Sequence, residues 1–482
     1  MEQKAGAQIS QKAFIQSAVI LLVLMIAAGI LTRALPAGEY SRYESEGRAL
    51  IDPASYREID SPDYAVWRWF TAPVEVLWGE DSLIIVTIIV FILLVSGAFA
   101  VLEKAGILTA LLAKIVNRFR DQRYILLLVL SLFFMLLGAF FGILEEIVPL
   151  VPLMIALAYS LGWDALVGLG MSVLATNIGF SAAITNPFTI GVAQKLAGLP
   201  LFSGALLRVP VFIVFYLALA WFLLTYARRI DRDPSTSLVF KEAAASAEKY
   251  QHLDLASSTT NPRLGKAGLV FGLFLVLILA VLVAGPFVPA MSDYTLPLVG
   301  LLFFIGGMVA GLVSGASGRL IGKALKEGIL GLAPGIPLIL MAASTKHIVS
   351  TGKVVDTILF KTTALLEGTS PLAAVLIIFL LALIVEFFIA SSGAKAVLMM
   401  PILLPLADLV GVTRQLTVSA YCFGDGFTNL AYPTNAVLLI CLGLASISYG
   451  KWMRFTARLW LVIFPLVAFF LWLGTLIGFG PF

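Results

Sequence analysis

The chain has 482 residues, of which 60% are hydrophobic and 12% are charged. Roughly 25% of the residues of a soluble globular protein are charged, so this composition excludes an ordinary soluble protein. The net charge of +4 bears on the loops of a membrane protein and gives no reason to expect a nucleic-acid partner. The two cysteines, Cys422 and Cys441, lie in apolar stretches, so no disulfide framework is expected.

The first apolar run, residues 14–35, is predicted to be a true membrane span. A bilayer crossing needs roughly 20 apolar residues, whereas the apolar core of a signal peptide has roughly 7–15. No clear small-x-small cleavage site follows the run. Because the lysines and arginines of short loops stay in the cytoplasm, the basic loops of the chain place its N-terminus there as well.

The path of the chain through the rest of the first half, residues 1–228, follows from the requirement that each basic loop lie on the cytoplasmic side of the membrane. All loops are satisfied only if residues 124–162 enter and leave the membrane from the cytoplasmic side, as a re-entrant hairpin. The predicted elements, in chain order, are a span at 83–103, a surface arm at 108–119, this inner hairpin with its turn near 142–146, an outward crossing at 164–195 interrupted at 177–187, and a returning span at 208–226.

Residues 229–264 are polar and are predicted to be a cytoplasmic linker, after which residues 265–482 repeat the first half with opposite orientation. The predicted elements of this half are spans at 266–286, 295–313 and 328–350, an arm at 354–366, an outer hairpin at 371–411 with its turn near 391–395, a crossing at 414–446 interrupted at 425–435, and a last span at 452–478. The prediction is therefore an all-α polytopic membrane protein with about nine transmembrane helices and two re-entrant hairpins.

Two stretches 249 positions apart support an inverted repeat. Seven identical residues align without a gap, namely Pro152, Leu157, Ala158, Gly162, Ala182, Thr185 and Asn186 on Pro401, Leu406, Ala407, Gly411, Ala431, Thr434 and Asn435. Corresponding apolar segments that are interrupted by Gly or Pro in two halves are the best sequence indication of a transporter's binding site. The interruptions and the hairpin turns are therefore the candidate site.

The interruptions carry polar residues at the predicted membrane depth. They are Asn177, Thr185 and Asn186 in the first and Asp425, Asn429, Thr434 and Asn435 in the second. A proline such as Pro187 removes an amide donor and disfavours helix at the residue before it, so nearby carbonyls lose their partners. These groups suit polar substrate groups or a cation, with cation sites near Asn186 and Asn435. The alternative is a proline kink whose polar groups are satisfied by neighbouring helices.

The inner hairpin turn contains Glu145 and Glu146. Ionisable groups at membrane depth are functional by default because burying them is costly. One of these carboxylates is expected to face a substrate ammonium group, a coupling cation or a proton. The alternative is a turn that reaches the cytoplasmic surface, where water solvates both carboxylates.

The outer hairpin turn, Ser391, Ser392 and Gly393, offers hydroxyls and backbone amides to a substrate carboxylate. Lys395 either neutralises that carboxylate or pairs with Asp425 in the facing interruption. No nucleotide-binding loop, metal cluster or nucleophile–base arrangement is evident in the sequence. The chain is therefore predicted not to be an enzyme, to need no cofactor, and to be driven by exchange or by an H⁺ or Na⁺ gradient.

Three motifs carry a resemblance to a known family: Gly-Ile-Leu-Glu-Glu-Ile-Val-Pro at 142–149, Thr-Asn-Pro-Phe-Thr-Ile-Gly-Val-Ala-Gln at 185–194, and Phe-Gly-Asp-Gly-Phe-Thr-Asn at 423–429 followed by Pro433 and Thr434. On these residues the chain resembles the YfcC-type branch of the DcuC-like family, within the ion-transporter superfamily. The resemblance implies an elevator-type secondary transporter, often a homodimer, in the bacterial inner membrane. Superfamily relatives often have Ser-Asn-Thr at the tips, which this chain lacks.

The predicted function is secondary transport of an amino acid, basic amino acids among them, by antiport or cation-coupled uptake. Glu145 or Glu146 would bind the ammonium group and the Ser391–Gly393 turn the carboxylate. The alternative is a C4-dicarboxylate carrier, in which Lys395 and the two Thr-Asn pairs bind the two carboxylates. An ion channel is disfavoured because two occluding hairpins leave no continuous pore.

Overall fold

The computed structural model describes residues 11–45, 48–52, 54–79, 82–240, 262–284, 294–363, 368–389 and 391–480. For some residues inside its helices and strands, Glu145, Glu146 and Pro187 among them, only the backbone is described. The predicted linker therefore lies outside the described residues from 241 to 261, and so do positions 285 and 286 of the span predicted at 266–286.

The helices of the first half are α1 (Gln11–Ala34), α2 (Arg68–Glu75), α3 (Ser82–Lys104), α4 (Ile107–Phe119), α5 (Arg123–Leu136), α6 (Val151–Ser160), α7 (Ala165–Leu169), α8 (Ala175–Ser181), α9 (Val192–Leu196) and α10 (Ala205–Arg232). π-Helical turns follow α5 at Leu137–Phe141, join α7 to α8 at Gly170–Leu174, and precede α9 at Pro187–Gly191. A 3₁₀ turn, Glu145–Leu150, precedes α6.

The helices of the second half are α11 (Pro262–Ala284), α12 (Thr295–Val313), α13 (Gly318–Leu332), α14 (Gly335–Thr351), α15 (Val355–Thr363), α16 (Pro371–Phe388), α17 (Ser392–Leu409), α18 (Arg414–Phe427), α19 (Ala436–Ala445) and α20 (Tyr449–Leu476). Ser317 starts α13 as its N-cap, since its hydroxyl oxygen accepts the Leu320 amide. The span predicted at 328–350 is therefore part of a longer apolar stretch, Gly318–Thr351, in which α13 ends at Leu332 and α14 begins at Gly335.

Seven helices among the described residues are long and apolar enough to cross a membrane. They are Ile85–Lys104, Arg123–Phe141, Ala205–Arg232, Gly318–Thr351, Pro371–Phe388, Ser392–Leu409 and Tyr449–Leu476. Three of them are limbs of the two predicted hairpins. The chain is thus a multi-pass membrane protein, while the predicted count of nine crossings and the re-entrant path of the hairpins stay predictions.

The helices pack in two main groups. In the first group, α12 packs against α3, α11 and α13, α3 also packs against α13, and α4 packs on α11. In the second, the hairpin limbs α5, α16 and α17 pack with α8 and α18, and α10 and α20 cover them. The second group contains both predicted interruptions, so the candidate site lies within it.

The all-α prediction is wrong for the polar segment after α1. Strand β1 (Gly38–Glu39) pairs antiparallel with β4 (Arg57–Glu58), and β2 (Arg42–Ser45) pairs antiparallel with β3 (Arg48–Ile51). Strands of two and four residues are shorter than the usual five or six, so they leave too little alternation for sequence analysis to detect.

Asp356 of α15 holds this polar segment to the second half. Its carboxylate accepts the Tyr40 amide at 3.0 Å and the Arg42 guanidinium at 3.0 Å, and Asp356 itself is buried. Further along the segment, Glu75 accepts a hydrogen bond from Arg68 at 2.6 Å, which lowers the pKa of Glu75 to about 2. The segment is therefore an ordered part of the fold.

The predicted linker begins later than expected, because α10 continues to Arg232. Two basic residues in its last turn, Arg229 and Arg232, favour this extension, since cations stabilise the C-terminal end of a helix. Asp233 then ends the helix, and its side chain accepts the Ser235 amide at 3.0 Å.

Candidate functional site

The first interruption lies between Ser181, where α8 ends, and the π-helical turn that leads into α9. Asn186 is fully buried, and its Oδ1 accepts the amides of Phe188 at 2.9 Å and Thr189 at 3.2 Å. It therefore caps the second half of the broken helix, where the first amides lack helical partners. The predicted break is present but shorter than 177–187, because Asn177 lies within α8. The Asn186 side-chain oxygen is engaged in forming the break.

The first interruption is bonded to the inner hairpin through the backbone. The amides of Ile184 and Thr185 both donate to the Ala139 carbonyl, at 2.9 and 3.1 Å. The Thr185 hydroxyl donates to the Phe140 carbonyl at 3.0 Å. Both acceptors lie in the π-helical turn that ends the first hairpin limb. The hairpin and the break therefore share one hydrogen-bonded junction.

The turn of the inner hairpin passes so close to Asn186 that only glycine fits at position 142. Gly142 has φ +69°, and an added Cβ would lie 2.2 Å from Asn186 Oδ1. Glu145 begins the 3₁₀ turn just beyond it. The turn thus falls where the sequence predicts it. The side chains of Glu145 and Glu146 are not among those that the structure describes, so their roles stay predictions.

We expect Gly142→Ala to impair transport and to lower the melting temperature of the purified protein. The added methyl group displaces the Asn186 side chain from its capping position. It also strains the backbone, because residues other than glycine rarely adopt a φ of +69°. Gly368→Ala is the matched control, because Gly368 has φ +72° but an added Cβ there meets nothing within 4 Å. Equal effects of the two substitutions would contradict the contact with Asn186.

The second interruption begins after Phe427, later than the predicted Asp425, and like the first it is followed by a helix that an asparagine caps. Asn435 Oδ1 accepts the amides of Val437 at 2.9 Å and Leu438 at 3.4 Å, and so caps α19. The Asn435 amide nitrogen donates to Asn429 Oδ1 at 3.2 Å, while Thr434 lies half-buried between them. Asn186 and Asn435, which align in the sequence repeat, therefore have equivalent places. Whether either also contacts a cation stays a prediction.

A buried charge cluster joins the outer hairpin to the second broken helix. Lys395, in the first turn of α17, forms an ion pair with Asp425 of α18 at 2.7 Å and another with Glu386 of α16. The side chains of all three are at most 1% exposed. Ser392 donates to the other oxygen of Asp425 at 2.7 Å, and the Tyr421 hydroxyl donates to the Ser392 carbonyl at 2.5 Å. The pairing of Lys395 with Asp425, left open by the sequence, is present.

Glu386 is the member of this cluster that the sequence places in a hairpin limb without deciding whether it faces the site. The available signal was an acidic residue in an otherwise apolar helix of 18 residues. With Glu386 included, two carboxylates face one ammonium group in a site without solvent exposure. The cluster therefore has one carboxylate more than its ammonium group can balance.

The outer tip is open beside this cluster. Ser391 and Ala394 are exposed, and a Cβ added to Gly393 would meet nothing within 4 Å. The first amides of a helix have no intrahelical acceptor and carry a partial positive charge. The backbone amides at this tip are therefore accessible, whereas the Ser392 hydroxyl is engaged by Asp425 and is not free as the sequence predicted. The role of Ser391, Ser392 and Gly393 in binding a carboxylate stays a prediction.

Unsatisfied polar groups lie beside the first interruption. Asn177 of α8 is fully buried, and neither atom of its side-chain amide has a hydrogen-bond partner among the described residues. The same holds for Asn186 Nδ2. Buried polar groups are normally paired, so these amides are available to a ligand or to water.

Residues 14–476 match the profile of a family described as “C4-dicarboxylate anaerobic carrier” (DcuC). A protein of Escherichia coli (strain K12) named “Putative basic amino acid antiporter YfcC” is 30% identical over 478 residues, which cover 92% of each chain. A protein of Haemophilus influenzae (strain ATCC 51907 / DSM 11121 / KW20 / Rd) named “Uncharacterized protein” is 28% identical over 407 residues, 83% of this chain and 76% of the other.

Two solved structures are also similar, each at 18% sequence identity. The Alcanivorax borkumensis YdaH transporter gives a TM-score of 0.45 and covers 97% of this chain and 100% of its own. Neisseria gonorrhoeae MtrF gives a TM-score of 0.46, with 95% of this chain and 94% of its own covered. The family profile and the Escherichia coli relative both confirm the resemblance noted in the three motifs. The chain belongs to the DcuC family of membrane transporters.

Proposed function

We propose that the protein is a secondary transporter of amino acids, basic amino acids among them, working by antiport or cation-coupled uptake. The observation that carries this proposal is the burial of Lys395 between Glu386 and Asp425. A dicarboxylate would require the Lys395 ammonium group at the outer tip, but that group is already paired with the carboxylates of Glu386 and Asp425. The name of the Escherichia coli relative, a basic amino acid antiporter, agrees with this reading.

The two ends of an amino acid would bind at different tips. The carboxylate is assigned to the exposed amides of the Ser391–Gly393 turn, where the N-terminus of α17 attracts negative charge. The ammonium group, or the cationic side chain of arginine, is assigned to Glu145 or Glu146. Polar contacts to the bound molecule would come from Asn177, Thr185 and Thr434 beside the interruptions.

The mechanism proposed is an elevator-type alternation of access. The hairpin limbs and broken helices pack as one group, and α3 with α11–α13 packs as another, which supports a moving part and a scaffold. The proposal includes the domain division at residues 1–228, 229–264 and 265–482. It also includes an inner-membrane location with a cytoplasmic N-terminus and a homodimer.

Coupling to a cation is proposed at the Glu386–Lys395–Asp425 cluster. The cluster has two carboxylates and a single ammonium group, so a proton on either carboxylate makes it neutral. A proton is therefore favoured as the ion that is transported together with the substrate. Na⁺ sites near Asn186 and Asn435 are a weaker proposal, since the side-chain oxygens of both asparagines already accept two amides each.

The alternative function is that of a C4-dicarboxylate carrier, which the description of the family favours. Counterflow in proteoliposomes separates the two. Vesicles with purified protein are loaded with unlabelled arginine, ornithine, a neutral amino acid or succinate and are offered the labelled form of each. We expect labelled amino acids to accumulate and succinate not to. Accumulation of succinate alone would overturn the proposal and favour the carrier of dicarboxylates.

We expect Glu145→Gln or Glu146→Gln to weaken the apparent affinity for arginine about tenfold or more, because a hydrogen bond to a charged group contributes roughly 1.5–3 kcal/mol. Initial rates of arginine uptake against concentration give the affinity. Asp121→Asn is the control, since Asp121 is an exposed acidic residue near the start of α5. Unchanged affinity in both glutamate variants would remove the inner tip from the site.

A further inference from the structure

Arg208 is a buried cation without a counter-charge among the described residues. It lies in the first turn of α10 and is 5% exposed. One nitrogen, Nη2, donates to the Ser203 carbonyl at 2.6 Å. The other two, Nε and Nη1, have no hydrogen-bond partner within the described part of the chain. A charge buried in this way is costly unless it is paired.

The position of Arg208 in its helix adds to the positive charge. Helix α10 has 28 residues, begins after Gly204, and has no acidic residue in its first turn. The N-terminus of a helix carries a partial positive charge and normally attracts acidic groups. Here an arginine occupies the first turn instead. The charge of the guanidinium and that of the helix end therefore have the same sign, and both favour an anion.

A cavity of about 20 Å³ adjoins the guanidinium. It is lined by Arg208 and Val211 of α10, Ser181 of α8, and Ser419, Cys422 and Phe423 of α18. A cavity needs roughly 10–15 Å³ to hold one water molecule, so this one admits a single small ion or one carboxylate group, but not a whole amino acid. The hydroxyls of Ser181 and Ser419 already donate to backbone carbonyls, so the guanidinium supplies the donors.

We propose that Arg208 and this cavity form a binding site for one compact monovalent anion, either chloride or the carboxylate group of a small solute. The site lies where α10 meets the two broken helices, and a bound anion ties the three together. None of Glu386, Lys395 and Asp425 lines this cavity, and the proposal does not depend on which molecule the protein transports. Anion binding is therefore expected to stabilise the folded protein.

The test uses the purified full-length protein in a chloride-free gluconate buffer. Chloride, bromide or acetate replaces gluconate at constant ionic strength while the melting temperature is measured. A ligand that binds only the folded state raises that temperature with concentration. We expect a saturable rise in the wild type and in Arg229→Met, whose arginine is exposed on the same helix. The rise should be absent in Arg208→Met and shifted to about tenfold higher concentration in Arg208→Lys.

The arms of the experiment separate the two sources of the anion. A response to chloride and bromide alone assigns the site to an inorganic ion, and a response to acetate alone assigns it to a carboxylate. Should Arg208→Met fail to fold, anomalous diffraction from crystals grown in bromide decides the matter. A bromide peak beside the guanidinium supports the site. The proposal is overturned if ordered water occupies the cavity beside the guanidinium and no anion raises the melting temperature of the wild type. This outcome is independent of the transport assays.

Discussion

Lys395→Met is expected to abolish transport and to lower the free energy of unfolding by about 3–5 kcal/mol, the usual result of breaking a buried ion pair. Methionine has a similar length but no charge, so the substitution leaves Glu386 and Asp425 buried without an ammonium group. The melting temperature of the purified protein and uptake into proteoliposomes measure the two effects separately. A Lys395→Met protein with wild-type stability and uptake would contradict the structural importance of the cluster.

The charge-matched control is the triple variant Glu386→Gln, Lys395→Met, Asp425→Asn. It removes all three charges together, and replacing a whole buried cluster is often tolerated. We expect it to recover much of the stability lost in Lys395→Met while transport stays absent. Recovery of transport as well would show that the cluster serves the fold alone and would remove it from the proposed proton coupling.

Gly179→Ala is expected to prevent folding of the second helix group or to weaken it severely. An added Cβ would lie 1.9 Å from the Met135 carbonyl oxygen and 2.7 Å from its carbon, both backbone atoms of α5. Backbone atoms cannot swing aside as the end of a side chain can, so α5 and α8 would have to separate. Overpacking of a core commonly costs about 1–3 kcal/mol and occasionally more, and this contact belongs to the severe cases.

Gly322→Ala is the control for this prediction. Gly322 lies inside α13, and an added Cβ there meets nothing within 4 Å. Because Gly is less favourable than Ala in a helix by roughly 0.5–1 kcal/mol, that variant should be as stable as the wild type or slightly more so. Size-exclusion profiles and melting temperatures in detergent give the comparison. A well-folded Gly179→Ala protein would show that α5 and α8 can move apart.

The sequence predicted those features that depend on local signals. The turn near Gly142 and the interruption before Pro187 were placed correctly because glycine and proline act on the backbone where they stand. The equivalence of Asn186 and Asn435 was likewise visible in the gapless alignment of the two halves. Helix ends were less accurate: the Ser317 cap and the basic residues at the end of α10 extended helices beyond the apolar runs.

The features that the sequence did not predict depend on contacts between distant residues. The sequence offered the pairing of Lys395 with Asp425 as one of two alternatives, but it gave no sign that Glu386, across the hairpin turn, joins the same cluster. No periodicity links these three positions, so their joint burial required the fold. The sequence marked Arg208 only as the first residue of a span. That Arg208 is buried without a counter-charge among the described residues is visible only once α8 and α18 are packed beside it. The short strands at 38–58 left no pattern at all.

The junction between the inner hairpin and the first interruption is built from backbone groups, with two amides on the Ala139 carbonyl. Substitution of the tip side chains leaves those hydrogen bonds in place. Glu145 and Glu146 can therefore change during evolution without loss of this junction. A carrier built in this way can acquire a new cargo through a few substitutions, because function resides in the site and not in the fold.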